Sequence, residues 1–211
     1  MKNLDQITLA IESAICGGSI SLLKNGREVA NWIGTSNVSK AEDLLVNIDA
    51  ILTSNTISRH EIDLIAVSAG PGSFTGIRIG LATALGLKAG LGIQMSSASA
   101  LIAMVHETTI IQKVIAAVPA GRNSVCLQNF QIIENEITMS DELRTLADDV
   151  FFEFVRDEKT LNFILHASLF ERCEVSQRIF NFGSNIAQAI GKVCSLHPCR
   201  VTEPLFISKS V

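Results

Sequence analysis

The sequence predicts an α/β fold built on a mixed β-sheet, and three features of its first hundred residues indicate this. The apolar, β-branched run Ile7–Ile11 is typical of a buried strand. Asn25-Gly26 supplies the two positive-φ positions of a type I′ turn, so the strands on either side of it are antiparallel. Helical and strand-like hydrophobic patterns then alternate along the chain, which requires parallel crossover connections in the same sheet.

The first half of the chain is expected to follow the order β-β-β-α-β-α-β-α. The predicted elements are strands Ile7–Ile11, Ser19–Leu23 and Glu28–Ile33, helix 40–52, strand Ile62–Val67, helix Ser73–Leu91, strand Gly92–Met95 and helix Ala98–Val105. A capping box formed by Ser39 and Glu42 marks the start of the first helix. Apolar residues then recur in that helix at the spacing of one buried face.

The second half of the chain has a weaker pattern. The predicted elements are strands 110–118 and Ser124–Ile133, helix Thr145–Val155, strand Leu161–Leu165, helix Asn185–Cys194 and strand Leu205–Ile207. We expect two closely joined halves, residues 1–106 and a smaller half, residues 107–211. The last helix is expected to pack back on the first half.

Composition excludes several classes of protein. The 211 residues are 47% hydrophobic, which is enough for a sizeable core. The charge is −4, from 17 Lys and Arg against 21 Asp and Glu, which is the wrong sign for a protein that binds phosphate backbones. No stretch approaches the ~18 apolar residues of a membrane helix. Five cysteines without CxxC spacing favour reduced thiols, so the sequence predicts a cytoplasmic protein with no membrane contact.

Glycine is concentrated at the start of the second long helix, where seven of the 14 glycines lie between residues 70 and 92. Phosphate-binding loops occur at such a strand-to-helix junction. A P-loop requires Gly five residues after the first Gly, but Thr75 and Ile77 stand at the two possible positions and no Lys follows. The dinucleotide fingerprint fails at Thr75 as well. Neither phosphate-binding motif is therefore present.

The same glycines predict close packing instead. Gly76, Gly80 and Ala84 lie four residues apart on one helical face, which lets another backbone approach closely. Each mid-helix glycine costs about 1 kcal/mol relative to Ala, so a close contact is expected to offset that cost. The spacing leaves open whether the approaching backbone belongs to this chain or to a partner.

One segment resembles a known family. Residues 63–82 read DLIAVSAGPGSFTGIRIGLA, which closely resembles the signature of the bacterial TsaB family of tRNA threonylcarbamoyladenosine biosynthesis proteins, formerly classed as glycoprotease-like. Weaker matches lie at 12–14, 42–45, 120–125 and 204–206. Residues from about 132 to 196 are covered only loosely.

The resemblance implies a fold and a role. The fold would be the actin-like, ribonuclease-H-like fold of sugar kinases and heat-shock ATPases, with two fused halves and mixed sheets. TsaB-like proteins are non-catalytic partners of a catalytic paralogue, TsaD, which transfers a threonylcarbamoyl group to adenosine in tRNA. An ATPase, TsaE, joins this complex, and the subunit meets tRNA only indirectly. We expect a homodimer when the catalytic paralogue is absent.

The family pairs through the helices that correspond here to residues 40–52 and 73–91. Apolar side chains, the bare glycine face and one Arg that can bind a carboxylate make up the expected contact. The residues expected to bind the partner are Leu44, Leu45, Ile48, Phe74, Thr75, Gly76, Ile77, Arg78, Gly80 and Leu81.

The chain is predicted to have no catalytic residue, metal or cofactor of its own. Glu12 stands where the family usually has Asp, and one carboxylate cannot supply acid, base and metal ligation together. The two metal-binding His of the catalytic paralogue correspond to Ser97 and Leu101, and Leu cannot bind a metal. The four histidines share no ligand spacing.

Two other functions stay open from the sequence. The first is an ATP-dependent kinase or hydrolase of the actin-like fold that acts on its own, which magnesium-dependent nucleotide binding by the isolated chain would favour. The second is a metallopeptidase, suggested only by the older family name, which stoichiometric zinc in the purified protein would favour.

Overall fold

The structure is a computed structural model that describes residues 5–35, 41–108, 113–121, 123–134, 136–174 and 176–196. The predicted capping residue Ser39 and the predicted strand Leu205–Ile207 lie outside the described residues. Within the described part of the chain, no helix is long and apolar enough to cross a membrane.

The first sheet contains five strands: β1 (Ile7–Glu12), β2 (Ser19–Lys24), β3 (Arg27–Ile33), β4 (Leu64–Ser68) and β5 (Gln94–Ala98). Their spatial order is β3-β2-β1-β4-β5. The first three strands are antiparallel, whereas β4 and β5 run parallel to β1. The mixed sheet predicted from the turn and crossover patterns is therefore confirmed.

Helices connect the later strands of this sheet, as the sequence predicted. They are α1 (Ala41–Ser54), α2 (Phe74–Leu91) and α3 (Ala100–His106), with a 3-10 helix at Arg59–Glu61. Strand β5 and helix α3 each begin two residues later than predicted, so the strand takes in Ser96 to Ala98. This places the polar end of β5 inside the sheet.

The second sheet repeats the connectivity of the first. Its elements are β6 (Lys113–Pro119), β7 (Ser124–Ile133), β8 (Glu136–Met139), β9 (Arg144–Ala147), α4 (Asp148–Asp157), β10 (Asn162–His166), α5 (Ala167–Phe170), β11 (Ile179–Gly183) and α6 (Ile186–Leu196). The order is β11-β10-β6-β7-β8, and β9 also pairs with β7. Strand β7 is antiparallel to β6, whereas β10 and β11 are parallel to it. Two such halves give the actin-like fold.

One helix prediction in this half is wrong at its start. Residues 145–147 were expected to be helical, but Arg144–Ala147 pairs with β7 as strand β9. Helix α4 begins only at Asp148, and the preceding Ala147 has extended backbone angles, φ −65° and ψ 151°. The acidic pair Asp148 and Asp149 in the first turn suits a helix N-terminus.

In the described part of the chain, two sheets and six α-helices form five layers with three clusters of buried side chains. Along β1, Leu9 and Ile11 face one cluster with α1 and α2, while Ala10 faces another with α3 and α6. Side chains on opposite faces of a strand alternate in this way. The second sheet shares the α3 and α6 layer and packs its other face on α4 and α5.

Helix α6 comes last among the described elements but packs against the first sheet. A Cβ on its Gly191 would lie 3.0 Å from the Ala10 Cβ and would overlap the Leu23 side chain. The Ala187 amide donates to the Ser19 hydroxyl at 3.0 Å. The predicted division between residues 106 and 107 falls at the end of α3, and it stays a prediction.

Candidate functional site: the α1–α2 surface and the loop beneath it

Helix α2 starts at a well-defined cap. The Ser73 side chain accepts a hydrogen bond from the Gly76 amide at 3.3 Å, and the helix ends at Gly92, which has a left-handed φ of 68°. Serine before a helix and glycine after it are the usual signals for these positions. The predicted helix Ser73–Leu91 is therefore confirmed almost to the residue.

The bare face of α2 contacts the protein's own chain. A Cβ on Gly76 would lie 2.6 Å from the Ala14 Cα and would overlap the Ser13 carbonyl oxygen. A Cβ on Gly80 would overlap the Ser13 hydroxyl. The expected close approach is thus real, but the β1–β2 loop fills it. The predicted contact of Gly76 and Gly80 with a partner stays a prediction.

Three apolar residues predicted to bind a partner are also buried within the chain. Leu44 and Ile48 of α1 are each 4% exposed, and Ile77 of α2 is 1% exposed. Leu44 and Ile48 belong to the core cluster beneath α1 and α2. Their helical spacing marks the inner face of each helix, so these side chains pack in the chain's own core, and their contact with a partner stays a prediction.

The other five predicted residues are at least partly exposed. Leu45 and Phe74 are 55% and 47% exposed, Thr75 and Arg78 are exposed, and Leu81 is half-buried. The Arg78 guanidinium lies over the Phe74 ring, 3.7 Å from its centroid, so the ring and the cation form one compact feature.

Sequence reasoning missed Leu85, which is 52% exposed and follows Phe74, Arg78 and Leu81 at helical spacing. A cavity of about 180 Å³ lies between α1 and α2, and Leu45 is among its lining residues. We call the set Leu45, Phe74, Arg78, Leu81 and Leu85 the α1–α2 surface. Spacing alone could have included Leu85, since it continues the same stripe.

The carboxyl group of Glu12, at the end of β1, is buried. Its Oε1 accepts from the Ala14 amide at 2.5 Å and its Oε2 from the Ile15 amide at 3.3 Å. Glu12 is 1% exposed, and this burial raises its pKa from 4.5 to about 8 despite the hydrogen bonds. Burial in this structure therefore favours the neutral acid form of Glu12.

Three polar side chains near the β1–β2 loop join the two halves: Cys16, Ser168 and His166. The Cys16 thiol lies 3.4 Å from the Ser168 hydroxyl, which lies 2.9 Å from His166 Nδ1. Burial lowers the pKa of His166 to about 4, and burial also raises the pKa of the Cys16 thiol. Both groups are neutral near pH 7, so this arrangement does not supply a thiolate nucleophile.

His166 has a structural place in this arrangement. It ends β10, and its ring accepts a hydrogen bond from the Ser168 amide at the start of α5. Ser97 and Leu101, which the resemblance places at the metal-binding positions of the catalytic paralogue, are both buried. Among the described residues, no group of three or more His, Cys, Asp or Glu side chains could hold a metal ion.

Comparison with known proteins places the chain in a family. The model described as TsaD: tRNA N6-adenosine threonylcarbamoyltransferase matches residues 37–159, more than half of the chain. The chain belongs to this family. The matched range includes α1, α2 and α3, and so it includes the α1–α2 surface.

Curated relatives within the family support the resemblance to TsaB. The chain is 36% identical over 121 residues to the tRNA threonylcarbamoyladenosine biosynthesis protein TsaB of Buchnera aphidicola subsp. Baizongia pistaciae, covering 56% of this chain and 54% of that protein. It is 31% identical over 137 residues to TsaB of Escherichia coli strain K12, covering 64% and 59%. The chain thus spans between half and three fifths of these relatives. The predicted resemblance to TsaB is confirmed.

A solved structure supports the fold. YeaZ from Pseudomonas aeruginosa superposes with a TM-score of 0.68 at 18% sequence identity, covering 96% of this chain and all of that one. At this identity the likeness concerns the fold alone. It agrees with the duplicated sheet order described above.

Proposed function

We propose that the protein is a non-catalytic subunit that binds and activates a catalytic paralogue of the TsaD type in the threonylcarbamoylation of adenosine in tRNA. Its membership of the family supports this pathway. The observation that carries the proposal is the α1–α2 surface, where apolar groups remain exposed on two helices whose inner faces are firmly packed.

The chemistry of the chain supports a binding role. A surface that works by contact needs exposed apolar area and a rigid base, and aromatic and Arg side chains commonly dominate such contacts. Phe74 supplies the aromatic ring and Arg78 the guanidinium group at the start of α2. The carboxyl group of Glu12, by contrast, is buried, which raises its pKa to about 8, and it is hydrogen-bonded to its own loop.

The paralogue is expected to bind across α1 and α2. An ordinary stable interface buries about 800 Å² per partner and has a polar rim, so neighbouring polar residues would surround the α1–α2 surface in the contact. The same surface is expected to pair with a second copy of the chain around a two-fold axis when the paralogue is absent. The ATPase TsaE would join through the complex.

The test is a titration of the purified chain with the TsaD-like paralogue of the same organism, followed by isothermal calorimetry. Tight binding, with tRNA threonylcarbamoylation by the paralogue that depends on this chain, is the expected result. Leu85→Asp should weaken binding by tenfold or more, since burying an unpaired charge at an apolar contact costs more than about 1.4 kcal/mol.

The matched control is Met139→Asp, which places the same charge on an apolar residue that is 60% exposed on β8 of the other half. It should leave binding unchanged. The proposal fails if the paralogue does not bind, or if its activity is the same with and without this chain. Equal losses from the two variants would refute the position of the surface.

A further inference from the structure

The side chain of Glu12 acts as a ligand for the loop that follows it. It turns back so that its two oxygens accept from the amides of Ala14 and Ile15. Backbone amides that converge in this way form a site for an anion or another strong acceptor. Because Glu12 is 1% exposed, the carboxyl fills this site from within the chain.

The loop held by Glu12 is in turn bonded to the first turn of α2. The Ala14 carbonyl accepts from the Ser73 amide at 2.8 Å, and the Ser13 hydroxyl donates to the Gly76 carbonyl at 2.8 Å. The backbone of the same two loop residues covers the bare face of Gly76. Any movement of the loop therefore changes the position of the helix start.

The loop conformation needs such support. Cys16, Gly17 and Gly18 follow one another with φ values of 41°, 86° and 83°. A residue other than glycine rarely adopts a positive φ, and the surrounding structure has to hold it in that conformation. The bonds to Glu12 lie directly before this strained stretch.

We propose that Glu12 is a positioning residue, an internal ligand of the β1–β2 loop that fixes the N-terminal turn of α2 and with it Phe74 and Arg78. The inference rests on the proposed function for its link to a partner, because Phe74 and Arg78 belong to the α1–α2 surface. The position of that surface is then set within the chain, with no need for a bound phosphate or metal at the loop.

The test is amide hydrogen exchange on the isolated chain, read at Ser73, Gly76 and Ile77. Glu12→Met keeps the side-chain volume and removes the acceptors, and it should speed exchange at these amides about tenfold, as expected when two hydrogen bonds are lost. Glu12→Gln keeps an acceptor for the Ala14 amide and should restore most of the protection. Both variants should then be titrated with the TsaD-like paralogue.

If Glu12 contributed only to overall stability, faster exchange in Glu12→Met would come with a lower denaturation midpoint. Glu12→Met avoids the cost of burying a carboxyl group, so a local loss of protection without a fall in the denaturation midpoint supports the inference. Ile115→Val, in the outer core of the second sheet, is the control and should leave α2 unchanged. Ser13→Ala cuts the link to Gly76 and should also speed exchange at the helix start.

Two outcomes would overturn the inference. The first is unchanged exchange at the three amides in both Glu12→Met and Ser13→Ala. The second is faster exchange with unaltered affinity for the paralogue, which would show that the helix start does not set partner binding. If the wild-type chain does not bind the paralogue, the proposed function fails, and the exchange data still decide whether Glu12 positions α2.

Discussion

The packing of α2 against the β1–β2 loop can be tested by adding one methyl group. Gly76→Ala puts a Cβ 2.6 Å from the Ala14 Cα and in overlap with the Ser13 carbonyl oxygen. Both neighbours are backbone, so no side-chain rotation relieves the overlap. Gly86→Ala is the matched control, because a Cβ there meets nothing within 4 Å.

The expected magnitudes have opposite signs. Alanine is favoured over glycine in a helix interior by about 1 kcal/mol, so Gly86→Ala should stabilise the protein by roughly that amount. At Gly76 the same gain is opposed by overpacking, which typically costs about 1–3 kcal/mol and more when backbone must move. The helix would have to move by about 1 Å, which weakens the Ser13 bond to Gly76 and costs about 1 kcal/mol more. The net loss should be about 1–3 kcal/mol.

The assay is urea denaturation followed by circular dichroism, with the midpoint and slope fitted for the wild type and both variants. Gly86→Ala should raise the midpoint and Gly76→Ala should lower it. A midpoint for Gly76→Ala at or above that of the wild type would refute the packing of α2 on the loop. It would also return the bare glycine face to the set of surfaces open to a partner.

Three further predictions concern titration and core packing. As the pH rises from 4.5 to about 8, the wild type should lose about 1.4 kcal/mol of stability per pH unit, because the folded pKa of Glu12 is raised and the folded state holds the proton more tightly. Glu12→Gln should lack this slope in pH-dependent denaturation. His166 has a lowered folded pKa, so its contribution is lost as the pH falls from 6.5 to about 4, and His166→Asn, which keeps a helix-capping acceptor, should be flatter over that range. Phe163→Ala, at 1% exposure, should cost about 3–5 kcal/mol in thermal or urea unfolding.

Much of the fold was predictable because buried strands leave a strong pattern. The runs at Ile7–Ile11 and Ile62–Val67 are apolar on both faces, and both faces of the first sheet are indeed covered. Strands β8 and β9 were missed because each has four residues, most of them exposed. Residues 145–147 were predicted as the start of a helix because Arg144–Ala147 forms a strand through its pairing with β7 rather than through a preference of its own.

The sequence predicted that α2 makes a close backbone contact, but it did not predict which backbone makes it. Helical spacing identified a close approach at Gly76, but a bare face carries no information about which backbone meets it. Apolar spacing likewise cannot separate Ile77, which is buried, from Leu85, which is exposed, because both recur along the same helix. The bond from Glu12 back to its own loop depends on the turn after β1, which no local pattern specified.

The placement of α6 has a consequence for how the protein is made. The inner face of the first sheet is covered by a helix that ends at Leu196. During synthesis on the ribosome, the first five strands emerge well before that helix, so their apolar inner face stays open to solvent while the second sheet is still being translated. Shortening the chain before residue 186 would leave that face permanently open, and such fragments should aggregate rather than fold.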